Sequence, residues 1–321
     1  MNKKSTLTIP ETQESSGGRE DRRRWWTRDS GFRTILRRVK KNPLSLLGLG
    51  LIFFFVLIAV LAPVLAPVPA GSRDSYEIPQ SGYSADPVKP SREHWFGTTE
   101  RQYDMYYGIV WGTRTAFKIG VAVVTTSLLI GILLGSLAGY YGGWVDEVLM
   151  RFTDIILAFP RVVLAVVIVA VLGRSLINVM IAIAMVDWPS YARLLRGDIL
   201  SIKEREFVLA ARALGANDGR ILFRHVIPNA IYPLLVLGSL DIGNIVIYAA
   251  ALSFLGLGAP EGYADWGQLI SLSRNWILGS SGSPFEYWHT VMIPGGTIFL
   301  FVLGWNLLGD AFRDILDPRQ K

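Results

Sequence analysis

The chain has 321 residues, of which 51% are hydrophobic and only 18% are charged, and its mean hydropathy is +0.35. Soluble domains carry about one-quarter charged residues, so this chain has too few charges to cover soluble domains of its length. The absence of cysteine excludes disulfides, thiolate metal sites, iron–sulfur clusters and cysteine nucleophiles. The three histidines are not spaced as metal ligands, so we expect no zinc site.

The first 43 residues are polar and basic, with 12 basic and five acidic side chains. Residues 1–30 have the composition of a disordered tail. Four apolar residues then recur at helical spacing among basic ones, which predicts an amphipathic helix on an anionic membrane surface. They are Phe32, Ile35, Leu36 and Val39. Such a helix either orients the first span or binds a specific lipid, and we favour orientation.

Long runs without charge predict membrane spans, because a helix needs about 20 apolar residues to cross a hydrocarbon core of roughly 30 Å. Residues 44–65, 119–145 and 290–309 are free of charge over 22, 27 and 20 residues. Three further predicted spans come from apolar runs that charged residues interrupt. We therefore predict an all-α integral membrane protein with six transmembrane helices. The predicted spans are 44–66, 117–139, 155–173, 176–195, 230–257 and 290–309.

The placement of lysine and arginine predicts the orientation, because cytoplasmic loops carry an excess of both. Segment 193–229 has seven basic and four acidic residues, whereas the loops 67–116 and 258–289 have no basic excess. With six spans, both termini are then cytoplasmic in a multi-pass protein of the cell membrane. The predicted parts are a tail 1–43, a first helix 44–66, an extracytoplasmic loop 67–113, a five-helix core 114–310 that includes a cytoplasmic loop 197–229, and a tail 311–321.

The second predicted span carries small residues at strict four-residue spacing, so they share one face of the helix. Small residues allow close approach of another helix in lipid, where no hydrophobic drive favours association. We therefore predict a helix-packing face. It consists of Ser127, Gly131, Gly135 and Gly139.

The cytoplasmic stretch 204–229 predicts two short helices joined by a tight turn. Gly215 is a natural helix stop, Asn217 or Asp218 can cap the second helix, and Pro228 is expected to end it. The first helix has a narrow apolar stripe at helical spacing. The stripe consists of Phe207, Ala210, Ala211 and Leu214.

Three functions are compatible with this stretch. A DNA-binding helix-turn-helix fits its length and its basic residues, including Arg220 and Arg224 on one face, but tethering to the bilayer at both ends argues against it. An ordinary loop would rarely keep an exposed stripe with two adjacent alanines. We favour a docking element, because small residues let a helix sit deep in a partner's groove while a basic rim orients it.

The stretch resembles the EAA loop of the permease subunits of binding-protein-dependent ABC importers. The matching residues are Ala210, Ala211, Gly215, His225 and Pro228. Leu209 stands where the family has its leading glutamate, which leaves Glu206 as the nearest acid. The resemblance implies contact with an ATPase subunit. The residues then expected to couple to the ATPase are Glu206, Ala210, Ala211, Gly215, Asp218, Arg220, Arg224, His225 and Pro228.

The rest of the chain, from about residue 32, is similar to the dipeptide/oligopeptide permease subfamily. The similar strings are 94–98, 139–146, 188–193, 251–258 and 308–318. This resemblance implies the type I ABC importer permease fold and a translocation path for peptides or similar small solutes. It also implies a homologous sister permease, two cytoplasmic ATP-binding subunits and an extracytoplasmic solute-binding protein. One stretch departs from the family's Asp-x-x-Gly-Arg-Asp run and reads Thr99-Glu-Arg-Gln-Tyr-Asp104.

The chain itself lacks a phosphate-binding G-x-x-x-x-G-K-[ST] motif, and none of its eight lysines follows a glycine. We therefore expect no cofactor bound by this chain, no catalytic residue, and ATP and Mg used by partner ATPase subunits. The main alternative is an ion-coupled secondary transporter that acts alone, but it should show inverted repeats. A membrane-embedded enzyme and a scaffold without a pore are further alternatives.

Asp187 and Asp241 lie within apolar runs, and an ionisable group at membrane depth is a candidate functional residue. Asn244 lies one helical turn after Asp241. We expect these three residues along the translocation path. For Asp241, a polar clasp to the sister subunit is the close alternative, and proton coupling is a weaker one because no relay of acids or histidines accompanies it.

Overall fold

The computed structural model of the chain describes residues 42–72, 74–276 and 285–316. The predicted N-terminal tail with its amphipathic helix, up to residue 41, lies outside the described residues, as do the last five positions. Within the described ranges the regular secondary structure is helical, with three isolated antiparallel bridges between loop residues. The predicted all-α class is confirmed.

Eleven α-helices of the described part are labelled in chain order. They are α1 (Pro43–Leu65), α2 (Met105–Tyr141), α3 (Gly143–Leu157), α4 (Arg161–Leu172), α5 (Leu176–Ile202), α6 (Glu206–Ala213), α7 (Asp218–Ile221), α8 (Ile227–Ala230), α9 (Tyr232–Phe254), α10 (Trp266–Leu272) and α11 (His289–Leu316). A single π-helical turn, Leu222–Val226, joins α7 to α8. Short 3₁₀ turns occupy Glu100–Gln102 and Arg274–Trp276.

Four of these helices, α1, α2, α9 and α11, are long and apolar enough to cross a membrane. A fifth crossing is possible through α3 and α4 together, which are bent by 91°. The predicted span 155–173 is thus divided between the end of α3 and α4. Pro160 explains the break, because its backbone is extended, at φ −59° and ψ 127°, and it disfavours helical geometry at the residue before it.

The helix α5 corresponds to the predicted span 176–195 and is 27 residues long. It carries charges within its length, including Asp187 and Arg193, so it is not apolar throughout. Two neighbours cover much of it, because α2 packs along it and α4 lies against it. Asp187 is buried between these helices, whereas Arg193 is exposed near the end of α5, and together they account for its weaker apolar signal.

The helix α2 begins at Met105, well before the expected start near residue 117. Asp104 caps it, because its Oδ1 accepts a hydrogen bond of 2.8 Å from the Tyr107 backbone N–H. Its 37 residues span about 55 Å at 1.5 Å per residue, which exceeds the hydrocarbon core of a bilayer. The helix therefore extends beyond the membrane at one or both ends.

The contact between α2 and α5 is the most extensive helix–helix contact in the described structure. A Cβ atom placed on Gly131 would lie 2.5 Å from Tyr191 Cβ, and one on Gly135 would lie 2.5 Å from the Ala192 carbonyl oxygen. The Ser127 hydroxyl donates to the Ala184 carbonyl at 3.4 Å. The small residues therefore lie where the two backbones approach most closely.

A second packing centre joins α1, α10 and α11. Phe55, Trp266 and Phe301 are buried and meet with ring centroids 5.3 to 6.0 Å apart. Their edge-to-face and tilted arrangements are favourable for aromatic rings. Three elements that are distant in sequence are thereby held in one core.

The loop that precedes α2 is fastened to the connection between α9 and α10. The backbone N–H of Ile78 donates to the Gly262 carbonyl, and that of Ala264 donates to the Tyr76 carbonyl, both at 2.7 Å. The rings of Tyr76 and Tyr263 stack at 5.3 Å with planes 6° apart. This loop is thus an ordered part of the structure.

The stretch that departs from the family pattern forms a left-handed turn. Arg101 and Gln102 have φ angles of 63° and 60°, a backbone geometry that glycine adopts most easily. Gln102 stands at the position of the family's glycine. The turn is kept through other contacts, since Arg101 forms an ion pair with Glu261 at 2.6 Å and Ser81 donates its backbone N–H to the Gln102 carbonyl.

The close approach of α2 and α5 predicts opposite effects of alanine at two helical glycines. Gly135→Ala should destabilise the chain by about 1–3 kcal/mol, because its Cβ would meet the backbone of Ala192. Gly197→Ala, on α5, should stabilise it by roughly 0.5–1 kcal/mol, because no atom lies within 4 Å of its Cβ. Thermal unfolding of the detergent-purified protein measures both. Equal midpoints for the two variants would contradict this account of the packing.

Candidate functional site

The candidate site is the loop 203–231, here named the coupling loop, which connects α5 to α9. Its first helix, α6, ends in a Schellman motif, since Gly215 donates to the Arg212 carbonyl and Ala216 donates to that of Ala211. Gly215 has a φ of 82°, which only glycine adopts at little cost. The predicted stop at Gly215 is thus explained by the backbone.

The second half of the coupling loop starts at α7, which Asn217 caps by accepting the Arg220 backbone N–H at 2.8 Å. The expectation that Pro228 ends this helix is wrong. The helical path continues through the π turn, and Pro228 lies in the first turn of α8. Proline is tolerated there because a helix start needs no donor at that position.

One face of the coupling loop is buried against the ends of α5 and α9. Val208, Ile221 and Val226 are fully buried and share a hydrophobic cluster with Ile199 and Leu234. This cluster makes the loop a packed extension of the two long helices. The loop and the adjoining ends of both helices therefore share one core.

The opposite face of the coupling loop exposes large apolar side chains. Leu214 is 89% exposed and Phe223 is 72% exposed, and Phe207 and Leu209 are also exposed. The predicted stripe is therefore divided, because Phe207, Ala210 and Leu214 face outward whereas Ala211 packs against the buried cluster. Exposed apolar groups gathered on an anchored surface mark an interaction site.

The other predicted coupling residues lie on or near the outward surface. His225 is half-buried, and its backbone carbonyl accepts a hydrogen bond of 2.6 Å from Asn229 Nδ2. The exposed ones are Glu206, Gly215, Asp218, Arg220, Arg224 and Pro228.

Polar contacts fasten the coupling loop to the end of α2. The Tyr140 hydroxyl donates to Asp218 Oδ1 at 2.7 Å, and Lys203 Nζ donates to the Gly139 carbonyl at 3.1 Å. Asp218, expected as a coupling residue, thus holds the loop in place. Sequence reasoning missed Tyr140 and Lys203, although Tyr140 lies within one of the strings shared with the peptide permease subfamily.

Ion pairs join α3 to the same end of α5. Arg196 donates through Nε and Nη2 to the two carboxylate oxygens of Asp146, at 2.5 and 2.6 Å. Arg193 pairs with Asp154 one turn away. A bidentate pair fixes the relative orientation of the two side chains as well as the distance between them. The bent α3–α4 pair is therefore attached to the helix that leads into the coupling loop.

A polar cluster lies deeper in the structure, between α4, α5 and α9. Asp187 is buried, and its Oδ1 accepts a bond of 2.9 Å from Arg161 Nη1. Arg161 Nη2 donates to the Ser190 hydroxyl at 2.7 Å. The second oxygen of Asp187 has no hydrogen-bond partner in the part of the chain that the structure describes. Arg161 was not expected at this site, although a lone charge beside an apolar run was a signal for it.

Asp241 occupies the α9 side of this polar cluster. Its Oδ2 accepts a hydrogen bond of 2.8 Å from the buried Tyr191 hydroxyl. Asn244 Nδ2 lies 3.4 Å from its Oδ1 and is half-buried, so the cluster reaches the helix surface there. The structure thus brings the three predicted residues Asp187, Asp241 and Asn244 into one region shared by three helices.

The fold and the coupling loop define a helical membrane protein with an anchored loop that exposes apolar side chains. Residues 131–321 match the family described as binding-protein-dependent transport system inner membrane component, and residues 30–81 match the N-terminal TM domain of oligopeptide transport permease C. The chain belongs to this family of binding-protein-dependent permeases, the membrane components of ABC importers with the type I fold. The expected family is confirmed.

Curated relatives agree over nearly the whole chain. The dipeptide transport system permease protein DppC of Alkalihalophilus pseudofirmus is 43% identical, over 92% of both chains. The glutathione transport system permease protein GsiD of Pectobacterium atrosepticum is 37% identical, over 90% of this chain and 92% of its own. The oligopeptide transport system permease protein OppC of Bacillus subtilis is 35% identical, over 90% of both chains.

The ion pair between Arg161 and the buried Asp187 predicts a strong effect from removal of the arginine. Arg161→Leu leaves Asp187 as an uncompensated buried carboxylate, which should cost about 3–5 kcal/mol. The double variant Arg161→Leu/Asp187→Leu removes both charges and should be more stable than the single variant. Unfolding of the purified protein in denaturant measures both.

A matched control for this pair is Arg193→Leu, on α5, the helix that carries Asp187. Its pair with Asp154 is about half exposed on both sides, so its loss should cost no more than about 1 kcal/mol. A double Arg161 and Asp187 variant as unstable as the single variant would contradict a role for the buried charge.

Proposed function

We propose that this chain forms, with a homologous sister permease, the translocation path of an ATP-driven importer for peptides or similar small solutes. The observation that carries this proposal is the coupling loop, which is anchored on one face and exposes Leu214 and Phe223 on the other. A subunit with this loop needs a partner that covers it. The relatives' substrates, namely dipeptides, oligopeptides and glutathione, are peptides and support the substrate class.

The energy source in this proposal lies in two cytoplasmic ATP-binding subunits, which use ATP and Mg. The chain has no phosphate-binding motif of its own, so it is a non-catalytic subunit. An extracytoplasmic solute-binding protein delivers the solute. The predicted coupling residues on the outward face of the loop then contact one ATPase.

Movement would pass from the ATPase to the path through rigid helices. The buried side of the coupling loop is continuous with α5 and α9, and α5 is tied to α2 and α3. Closure of the ATPase dimer would rotate these helices together. The path would then open in turn to one side of the membrane and to the other. Such rigid-body motion is a common way to transmit a change between packed subunits.

The proposed topology places the coupling loop and both termini in the cytoplasm of a multi-pass protein in the cell membrane. The excess of basic residues in 1–43 and 193–229 supports this orientation. The proposed topology has six crossings. They are α1, α2, the broken pair α3–α4, α5, α9 and α11. The loop before α2 is then extracytoplasmic.

The polar cluster formed by Arg161, Asp187, Tyr191, Asp241 and Asn244 is proposed to lie beside the translocation path. Charges at membrane depth are costly and therefore mark paths and relays. The cluster joins α4, α5 and α9, and the coupling loop is packed on the last two. Rotation of these helices would expose its groups to the path.

Docking through the apolar face predicts that Leu214→Asp weakens binding of the ATPase subunits. A charge in the buried centre of an interface should cost about 2 kcal/mol or more, roughly 30-fold in affinity. Co-purification of the ATPase subunits with the tagged permease and ATP-dependent uptake in proteoliposomes measure this.

The matched control is Tyr83→Asp. This variant likewise replaces a highly exposed large side chain with an acid, but Tyr83 lies in the loop before α2. This variant should retain its ATPase subunits. Deletion of residues 204–225 should abolish coupling, and uptake that persists unchanged after the deletion would contradict docking through this loop.

A position beside the path predicts that Asp241→Asn slows transport and leaves the complex assembled. Asparagine can still accept from the Tyr191 hydroxyl, so the packing is kept while the charge is lost. We expect uptake to fall about tenfold, equivalent to roughly 1.4 kcal/mol of barrier. Size-exclusion chromatography checks assembly, and dissociation of the sister permease would instead indicate a clasp between the two subunits.

A further inference from the structure

A large open cavity lies at the end of the molecule remote from the coupling loop. Its volume of about 910 Å³ is within the range of small-molecule sites. The cavity is lined by the start of α5, the connection between α9 and α10, α10 itself and the side of α2. The coupling loop follows the other end of α5 and precedes α9, so the cavity lies on the opposite, extracytoplasmic side of the proposed topology.

The lining of this cavity has an excess of positive charge. Its two acids are already engaged, because Glu261 pairs with Arg101 at 2.6 Å and Glu100 accepts from Asn275 Nδ2 at 3.2 Å. Three further cations lie on the wall and are exposed. They are Lys118, Arg174 and Arg274. None of the three is within ion-pair distance of a carboxylate in ranges 42–72, 74–276 and 285–316.

Lys118 is the most informative of these cations, because it lies about 20 Å along α2 from Met105. The apolar run from Ile119 to Val145 follows it directly. Lys118 is exposed on the cavity wall, so its ammonium is within reach of a bound ligand. Its ammonium has no carboxylate partner in the described chain, so an anionic ligand can supply one.

Neutral groups complete the cavity wall. The N-terminus of α5, with its positive dipole end, faces the cavity at Ser175 and Leu176. Tyr263 and Gln268 also line the cavity, and burial raises the pKa of Tyr263 to about 12. The wall thus combines three cations with polar neutral groups.

We propose that this cavity binds the free carboxylate of a peptide during its passage from the solute-binding protein to the translocation path. This inference rests on the proposed function and adds a specificity to it. A carboxylate matches the cations in charge, and an arginine can hold it with two parallel hydrogen bonds. Lys118, Arg174 and Arg274 are the residues that select it.

The test uses the complete importer in proteoliposomes. ATP is supplied on the side of the vesicle membrane that the ATPase subunits face, inside or outside. Uptake of alanylalanine is compared with uptake of alanylalanine amide, which lacks the negative charge. Lys118→Gln, Arg174→Gln and Arg274→Gln are each measured. The solute-binding protein is the same in every assay, so its own preference cancels when the amide-to-acid ratio of KM is compared between permease variants.

We expect each substitution to raise the KM for the acid about three- to tenfold and to leave the KM for the amide unchanged. Arg92→Gln is the control, because it removes an exposed cation of the loop before α2 that does not line the cavity. It should leave the ratio unaltered. Co-purification of the ATPase subunits verifies that each variant is assembled.

Three outcomes would overturn the proposal. An unchanged amide-to-acid ratio in all three variants, in an importer that does transport alanylalanine, would contradict the cavity assignment alone. An equal loss for both peptides that disappears in vesicles without anionic lipid would assign the cations to a lipid phosphate. Absence of ATP-dependent peptide uptake by the unaltered complex would contradict the proposed function itself, and this inference with it.

Discussion

The close approach of α2 to α5 is the constraint on which most of the structure depends. Gly131 and Gly135 let the two backbones meet where even a methyl group would collide with Tyr191 or Ala192. Because α2 covers α5 so closely, α5 can carry Asp187 and Tyr191 without presenting them to lipid. A helix too polar to cross a bilayer by itself is thereby held in the core of a membrane protein.

The same helix connects the two ends of the molecule that have functional features. At one end α5 continues into the coupling loop, whose buried face shares a cluster with α5 and α9. At the other end its first turn lines the cationic cavity. Between them lies the pair of Arg161 and Asp187, which ties α5 to α4. A displacement of the coupling loop therefore has a direct mechanical route to the polar cluster and to the cavity.

Sequence patterns were reliable where the structure depends only on residues that are neighbours in the chain. The stop at Gly215 follows from its left-handed backbone, and the four-residue spacing of Ser127, Gly131, Gly135 and Gly139 places them on one helix face whatever lies opposite. Sequence patterns were less reliable where they were ambiguous. A proline can break a helix, as Pro160 does between α3 and α4, or lie within the first turn of one, as Pro228 does in α8.

The sequence by itself determined the apolar helices and the position of the coupling loop, because charge-free length and helical spacing are properties of consecutive residues, and its motifs carried the resemblance that pointed to the family. Tertiary structure alone decided which face of α6 is buried and that Arg161 neutralises Asp187, 26 residues away. It also decided that Lys118, Arg174 and Arg274 share one cavity. These facts depend on contacts between helices far apart in the chain, which no local periodicity encodes.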